Sequence, residues 1–173
     1  MIHLIVGYPC DPQSLFEGLK AYVKKTSYAI GCLDVACVSD TQFHKAIIVA
    51  KRADFVIIVA GLDLSQETEE HDRVSLLLPG KQMSLVSSVA AASKKPVILV
   101  LTGGGPLDVS FAKGDPRIAS ILWIGYPGEA GAKALAEIIF GEYNPGWYVY
   151  KHQVPILFQK IEIILLHLSS TLH

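Results

Sequence analysis

Carboxylates crowd a short loop that follows a strongly apolar run of the sequence. Residues 55–60 read Phe-Val-Ile-Ile-Val-Ala, and the stretch after Gly61 carries five acidic side chains, at Asp63, Glu67, Glu69, Glu70 and Asp72. General acid catalysis on a glycosidic or ester oxygen needs a carboxyl whose pKa is raised toward neutrality, and neighbouring carboxylates raise a pKa by like-charge repulsion. Glu67 has such neighbours, so we predict that it is the catalytic residue. A solvated surface loop without a chemical role is the alternative.

A glycine-rich turn at residues 102–106, Thr-Gly-Gly-Gly-Pro, follows a second apolar run. It matches neither the GxxxxGK[ST] pattern of a P-loop nor the GxGxxG pattern of a dinucleotide site. Three glycines instead allow the backbone to turn tightly where another loop or a ligand comes close. A flavodoxin-like nucleotide binder is therefore the least favoured of the functions we consider.

A second glycine-rich turn, residues 125–131, supplies further candidates for contact with a substrate. Tyr126, together with Trp123 before the turn, is suited to stack on a sugar face, although core packing is the commoner role of aromatic residues at a strand end. Glu129 is expected in the first turn of a helix, where it would complement the helix dipole. Asp63, Tyr126 and Glu129 are the candidate substrate contacts.

The remaining reactive side chains form no recognisable constellation. Ser65 lacks a GxSxG context, His71 is isolated, and the three cysteines, Cys10, Cys32 and Cys37, match no zinc pattern. We therefore expect no metal and no cofactor. The cysteines either form one disulfide with an odd thiol, which implies an oxidising compartment, or remain as buried free thiols.

Composition indicates one globular domain. The chain has 173 residues, of which 51% are hydrophobic and 18% charged, and a formal net charge of -1. Nucleic acid is excluded as a partner because its phosphate backbone requires a basic surface. The first ten residues lack the basic region of a secretory signal. The apolar run at residues 154–168 is interrupted by charges and is shorter than the ~20 residues that span a bilayer, so no membrane span is expected.

Helical and strand-like patterns alternate along the chain. Apolar residues at helical spacing predict helices near residues 15–23, 43–50, 85–90 and 132–140, and apolar runs predict strands at 55–60, 96–101 and 120–124, with a weaker one at 28–30. Parallel strands need crossover helices. We therefore predict a flavodoxin-like α/β sandwich over residues 9–146, with a mainly parallel sheet between helices. Residues 147–173 form an atypical apolar tail, either a docking helix or a poorly ordered end.

Several motifs follow one another along the chain: Gly31-Cys-Leu-Asp-Val-Ala-Cys37, Gly61-Leu-Asp63 with Glu67 and Asp72-Arg73, Leu77-Leu-Pro-Gly-Lys-Gln82, Gly104-Gly-Pro-Leu-Asp108, Ile124-Gly-Tyr-Pro-Gly-Glu-Ala-Gly131 and Ile139-Phe-Gly-Glu-Tyr-Asn-Pro-Gly146. Together they resemble the C-terminal α/β-sandwich domain of glycoside hydrolase family 3, closest to plant β-D-xylosidases and α-L-arabinofuranosidases.

The resemblance implies a retaining hydrolase of O-glycosyl bonds that acts on xylo- or arabino-oligosaccharides, outside the cell or in the cell wall. In this family an Asp on a TIM-like barrel domain is the nucleophile, and the sandwich domain contributes the acid/base, which corresponds to Glu67. The barrel is absent from this sequence, and the family pattern stops after Gly146. The chain alone is therefore expected to be inactive and to self-associate through its uncovered surface. The alternative function is a noncatalytic carbohydrate-binding or interaction domain.

Overall fold

A single parallel sheet organises the domain. The computed structural model describes residues 11–144 and, as backbone, the strand Ile161–Leu165. The described strands are β1 (Thr26–Ile30), β2 (Phe55–Gly61), β3 (Val97–Thr102), β4 (Ile118–Trp123) and β5 (Ile161–Leu165). They lie in the order β1-β5-β2-β3-β4, and every neighbouring pair is parallel. The predicted α/β class and parallel sheet are confirmed.

Helices cover both faces of the sheet, because the side chains of a buried strand alternate between its two faces. The described helices are α1 (Leu15–Tyr22), α2 (Phe43–Arg52), α3 (Gln82–Ala92), α4 (Ser110–Lys113) and α5 (Gly131–Phe140). On one face Ile58 of β2 and Leu99 of β3 share a core with α2, α3 and α4. On the other face Ile57 and Val100 share a core with α1 and α5.

The helix ends differ in detail from the sequence prediction. The first helix was predicted near residues 15–23, and Ser14 caps it. The Ser14 hydroxyl accepts from the Glu17 N–H, and the Glu17 carboxylate accepts from the Ser14 N–H, which forms a capping box. α5 ends at Phe140 as predicted, and Gly141 follows as its C-cap with a φ of 79°, the left-handed conformation that glycine adopts at low cost. The short helix α4 was not predicted. No helix within the described residues is long and apolar enough to cross a membrane.

Strand β5 comes from the segment that the sequence assigned to a separate tail. Ile163 lies opposite Tyr28 on β1 and opposite Ile57 on β2, so β5 fills the position between these two strands. The docking helix suggested for residues 147–173 is therefore wrong for Ile161–Leu165, which form a strand. The run Ile-Glu-Ile-Ile-Leu is rich in β-branched residues, which favour strands over helices. The rest of the predicted tail lies outside the described residues.

A disulfide closes the loop after β1. Cys32 and Cys37 are bonded, with their Cα atoms 5.2 Å apart, which is within the ordinary range for such a bond. Cys10, the third cysteine, lies outside the described residues. The loop packs against Gly80, where a Cβ would lie 2.1 Å from the carbonyl oxygen of Ala36. The contact leaves space only for glycine, so the start of α3 fits directly against the disulfide loop.

We expect the Cys32→Ser/Cys37→Ser double variant to lose about 2 kcal/mol of unfolding free energy, because a bond that closes a loop of six residues restricts the unfolded chain only modestly. Urea unfolding with and without a reducing agent measures the loss. The unmodified chain should lose the same amount on reduction, and the variant should not respond. Equal sensitivity of both proteins to the reducing agent would contradict the prediction.

Candidate active site

The acidic loop lies where parallel strands present their carboxyl ends, the usual place for a ligand in an open α/β sheet. It leaves β2 at Gly61 and is tied at once to the exit of β3. The Leu62 N–H donates to the carbonyl oxygen of Thr102 at 2.9 Å, and the Thr102 hydroxyl donates to the carbonyl oxygen of Leu62 at 3.0 Å. The loop and the glycine-rich turn after β3 therefore start side by side.

Asp63 shapes the first part of the loop. Its carboxylate accepts hydrogen bonds from the Ser65 N–H at 2.9 Å and from the Ser65 hydroxyl at 2.5 Å, which forms an Asx turn. The Asp63 carbonyl oxygen accepts from the N–H groups of Gln66 and Glu67, at 3.0 and 3.3 Å. This single turn of backbone directs Glu67 back toward the sheet.

The Glu67 carboxylate receives hydrogen bonds at both oxygens. Oε1 accepts from the Gly104 N–H and from the Tyr126 hydroxyl, each at 2.6 Å. Oε2 accepts from Nε of Arg73 at 2.8 Å. Only 18% of the Glu67 side chain is exposed. Charge-assisted bonds of this kind are among the stronger ones in proteins, so the carboxylate is held in one orientation.

Arg73 is itself fixed to the surrounding backbone. Its Nη1 donates to the carbonyl oxygen of Ser75 at 3.1 Å, and its Nη2 donates to that of Pro106 at 2.9 Å. Its side chain is 12% exposed. The guanidinium therefore joins Glu67, the end of the acidic loop and the glycine-rich turn after β3, which its planar set of donors allows.

The glycine-rich turn after β3 has little room for a side chain at Gly104. A Cβ at Gly104 would lie 3.2 Å from both Oε1 of Glu67 and Cε2 of Tyr126. Such a distance is tighter than ordinary van der Waals contact, so a side chain here would displace the carboxylate or the ring. The predicted close approach of this turn to another loop is what the structure shows, and no phosphate pattern is involved.

The pKa of Glu67 is shifted in the opposite direction to the one we predicted. Burial raises its pKa, but hydrogen bonds from Tyr126, Gly104 and Arg73, with the positive charge of Arg73, outweigh burial, so the pKa lies below its ordinary value. We predicted a raised pKa from the neighbouring acids, but Glu69, Glu70 and Asp72 are exposed to solvent, which screens their charges. Burial, together with the Glu67 hydrogen bond and charge, raises the pKa of Tyr126.

The other candidates lie in different settings. Tyr126 is 38% exposed and contacts Glu67 directly, whereas Trp123 at the end of β4 is 59% exposed. Glu129 precedes α5 rather than lying in its first turn, since α5 begins at Gly131 with Ala130 as its cap. The Glu129 carboxylate accepts a hydrogen bond from the Asp11 N–H at 3.2 Å. The structure thus brings Tyr126 to Glu67 and places Asp63 in the turn beneath it.

Two residues of the site were missed. Arg73 had a usable signal, because a single cation six residues after Glu67 in an acidic loop is a natural partner for that carboxylate. Gln82 had none. It is fully buried, accepts from the Gly61 N–H at 2.9 Å, and donates to the carbonyl oxygens of Gly61 and Val35 at 2.8 and 2.7 Å. It fixes the point where the acidic loop leaves the sheet.

Because the pKa of Glu67 is lowered, we expect this residue to contribute to the pH dependence of the stability of the fold. A carboxyl whose pKa is lower in the folded than in the unfolded chain stabilises the fold at pH values above its ordinary pKa of 4.5. This contribution disappears as the pH falls through the folded-state pKa. We expect Glu67→Gln to show a smaller loss of unfolding free energy than the unmodified chain between about pH 6 and pH 3. Glu69→Gln is the matched control and should behave like the unmodified chain.

The comparison with protein families identifies the domain. Residues 5–147 match the glycosyl hydrolase family 3 C-terminal domain. The chain therefore belongs to glycoside hydrolase family 3, and the resemblance expected from the motifs is confirmed.

The relatives that the chain resembles include plant xylosidases. The chain is 65% identical over 164 residues to probable beta-D-xylosidase 6 of Arabidopsis thaliana, covering 95% of this chain and 21% of the relative. It is 51% identical over 164 residues to beta-xylosidase/alpha-L-arabinofuranosidase 1 of Medicago sativa subsp. varia, covering 90% of this chain and 21% of the relative. The chain thus spans about a fifth of these proteins.

Solved structures of the family share the fold. A family 3 exo-beta-xylosidase in complex with a xylobiose aziridine probe superposes with a TM-score of 0.74 at 33% identity, over 79% of this chain and 17% of that one. The family 3 beta-glucosidase of Bifidobacterium adolescentis superposes with a TM-score of 0.69 at 34% identity, over 78% and 20% of the two chains.

Proposed function

We propose that this domain supplies the acid/base carboxylate, Glu67, for hydrolysis of O-glycosyl bonds by a retaining β-xylosidase. The observation that carries the proposal is the fixed Glu67 carboxylate, which lies at the carboxyl end of the sheet with donors from three loops. A carboxylate used in catalysis must be oriented in advance, because proton transfer depends on hydrogen-bond geometry. The family membership supports the same assignment.

The proposed reaction has two steps, and a barrel domain is the proposed partner. An Asp of the barrel attacks the anomeric carbon while Glu67 protonates the leaving oxygen. In retaining enzymes these two carboxyl groups lie ~5–5.5 Å apart. Glu67 then removes a proton from the water that hydrolyses the covalent intermediate. The lowered pKa keeps Glu67 ionised, as this second, basic role requires. The first role needs the proton on Glu67, and we propose that the approaching nucleophile, as a second negative charge, raises the pKa of Glu67.

The proposed substrates are xylo- and arabino-oligosaccharides, which the names of the xylosidase and arabinofuranosidase relatives support. We also propose a location outside the cell or in the cell wall. The Cys32–Cys37 disulfide supports an oxidising compartment, because cytosolic thiols are kept reduced.

Apolar side chains around the acidic loop support the proposed barrel contact. Leu64 is 47%, Leu77 48% and Leu76 56% exposed, and Val74 is fully exposed. Exposed apolar groups of this density favour association. We expect the isolated chain to form dimers or larger species, measured by light scattering, and Val74→Ser/Leu76→Ser to shift it toward the monomer. A monodisperse monomer at all concentrations would contradict this.

A second candidate function is carbohydrate binding without catalysis. The exposed rings of Trp123 and Tyr126 favour it, because exposed aromatic faces pack against sugar rings. This function needs no Glu67 proton transfer, so a Glu67→Gln variant would bind xylo-oligosaccharides as well as the unmodified chain.

Hydrolysis by a polypeptide that joins this chain to a family 3 barrel domain tests the proposal. We expect release of xylose from xylobiose, and a loss of turnover in Glu67→Gln. Turnover that does not change in the variant would exclude Glu67 as the acid/base. Binding of xylobiose without turnover in the unmodified polypeptide would favour the second candidate.

A further inference from the structure

A cleft of about 210 Å³ lies at the opposite end of the sheet from Glu67. It is formed by the end of α3, the turn into β3 and the start of β4, and its lining residues are Ala90, Ser93, Lys94, Lys95, Pro96, Pro116 and Arg117. Since β3 has six residues that rise ~3.3 Å each, this cleft and the Glu67 site are about 20 Å apart. The cleft is therefore separate from the proposed active site.

Positive charge dominates the rim of the cleft. Lys94 contacts the Asp54 carboxylate at 3.6 Å and donates to the carbonyl oxygen of Arg52 at 3.2 Å. Arg117 pairs with Asp115 at 2.6 Å, yet its side chain is 49% exposed. Two carboxylates, Asp54 and Asp115, therefore face three cations, the third of which is Lys95.

Lys95 is the cation available to a ligand. Its Nζ lies 4.2 Å from the ring centroid of Phe55, a cation–π contact that positions the ammonium group without neutralising it. Among residues 11–144 it forms no ion pair. Its residue is exposed, so an anionic group can reach it from solvent.

The floor of the cleft is suited to a sugar ring. Ala90, Pro96 and Pro116 offer apolar surface, and the C–H face of a pyranose packs on such surface. The Ser93 hydroxyl oxygen is buried and has no hydrogen-bond partner within the described part of the chain. Buried hydroxyls normally have partners, and a sugar hydroxyl would provide one.

We propose that this cleft binds a carboxylate-bearing sugar, a uronic acid residue of an acidic saccharide. The carboxylate contacts Lys95 and Arg117, the ring lies on the two prolines, and a ring hydroxyl bonds to Ser93. A volume near 210 Å³ is below the ~300 Å³ of typical drug-sized pockets, so one sugar residue fits rather than a longer segment. The choice of a saccharide rests on the proposed function. The cleft would anchor the domain on acidic polysaccharide while Glu67 acts elsewhere.

Titration of the full chain with a trimer of galacturonic acid, followed by NMR shifts of backbone amides at low salt, tests the proposal. We expect saturable shifts of the amides of residues 93–95, 97, 117 and 118, and no such shifts with neutral xylotriose. Lys95→Gln should weaken binding about tenfold, the usual effect of removing one charge-assisted contact, and Ser93→Ala should weaken it less. Lys133→Gln, an equal change of charge on the exposed face of α5, should leave the affinity unchanged.

Three results would overturn the proposal: no saturable shifts, equal binding by Lys95→Gln and the unmodified chain, or binding of inorganic sulfate as tight as that of the trimer. The third result would indicate a simple anion site without sugar recognition. Arg117→Gln, with its fold checked by circular dichroism, gives an independent second variant. Glu67→Gln should bind the trimer normally, so failure of the cleft and failure of the proposed catalytic function are distinguishable.

Discussion

Glu67→Gln is expected to lower kcat for xylobiose by about 10²–10⁴-fold in a polypeptide that also carries the barrel domain, the range for loss of a general acid/base. The amide keeps the shape of the side chain but cannot donate a proton to the leaving sugar or accept one from water. The amide oxygen of glutamine can still accept from the Gly104 N–H and the Tyr126 hydroxyl, although the amide NH2 group cannot accept from Arg73. Circular dichroism of the variant, compared with the unmodified polypeptide, shows whether the loss reflects chemistry rather than misfolding.

The leaving group separates a catalytic role from a structural one. A dinitrophenyl xyloside has a leaving group that needs little protonation, so kcat/KM for this substrate should fall much less than kcat/KM for xylobiose. Glu69→Gln, on an exposed neighbour in the same loop, should retain activity on both substrates. An equal fall for both substrates in Glu67→Gln would contradict an acid role and indicate damage to the site.

Gln82→Met is expected to cost about 3 kcal/mol or more of unfolding free energy, because it leaves buried backbone groups without partners at about 1–3 kcal/mol each. The side chain is fully buried and contacts the N–H and carbonyl oxygen of Gly61 and the carbonyl oxygen of Val35. Methionine has a similar volume, so the loss reports hydrogen bonds rather than a cavity. Urea unfolding followed by circular dichroism measures it.

Gln66→Met is the matched control for Gln82→Met. Gln66 donates to the Ser65 hydroxyl at 3.2 Å in an exposed setting, so the same chemical change should alter stability by less than about 0.5 kcal/mol. If both variants lose equal stability, the Gln82 bonds do not hold the loop and strand together. A loss confined to Gln82 would show that a polar side chain in the core fixes the position of the acidic loop.

The sequence was sufficient to predict the helices and strands whose apolar pattern is strong. β2 and β3 are buried along nearly their whole length, and such continuous apolar runs between glycine-rich turns predict central parallel strands. Helix α5 was predicted to its last residue because Gly141 marks its end. Glu67 was placed on its loop by the same reasoning, since the loop follows a strand of this type.

Tertiary contacts explain what the sequence analysis missed. Glu67 meets Tyr126 across 59 residues and Gly104 across 37, so the donors that lower its pKa cannot be found by looking at its neighbours in the chain. The nearby acids suggested the opposite shift. The position of β5 between β1 and β2 also depends on a long-range pairing, which apolar composition alone does not specify.

Each of the loops after β2, β3 and β4 contributes to the bonds of one carboxylate, Glu67. Substitution at this position is therefore constrained twice, because the side chain proposed for proton transfer also links the three loops. A gene copy released from selection for turnover could not replace Glu67 freely without loosening the loops around it. We therefore expect inactive descendants of this domain to keep a hydrogen-bond acceptor at this position.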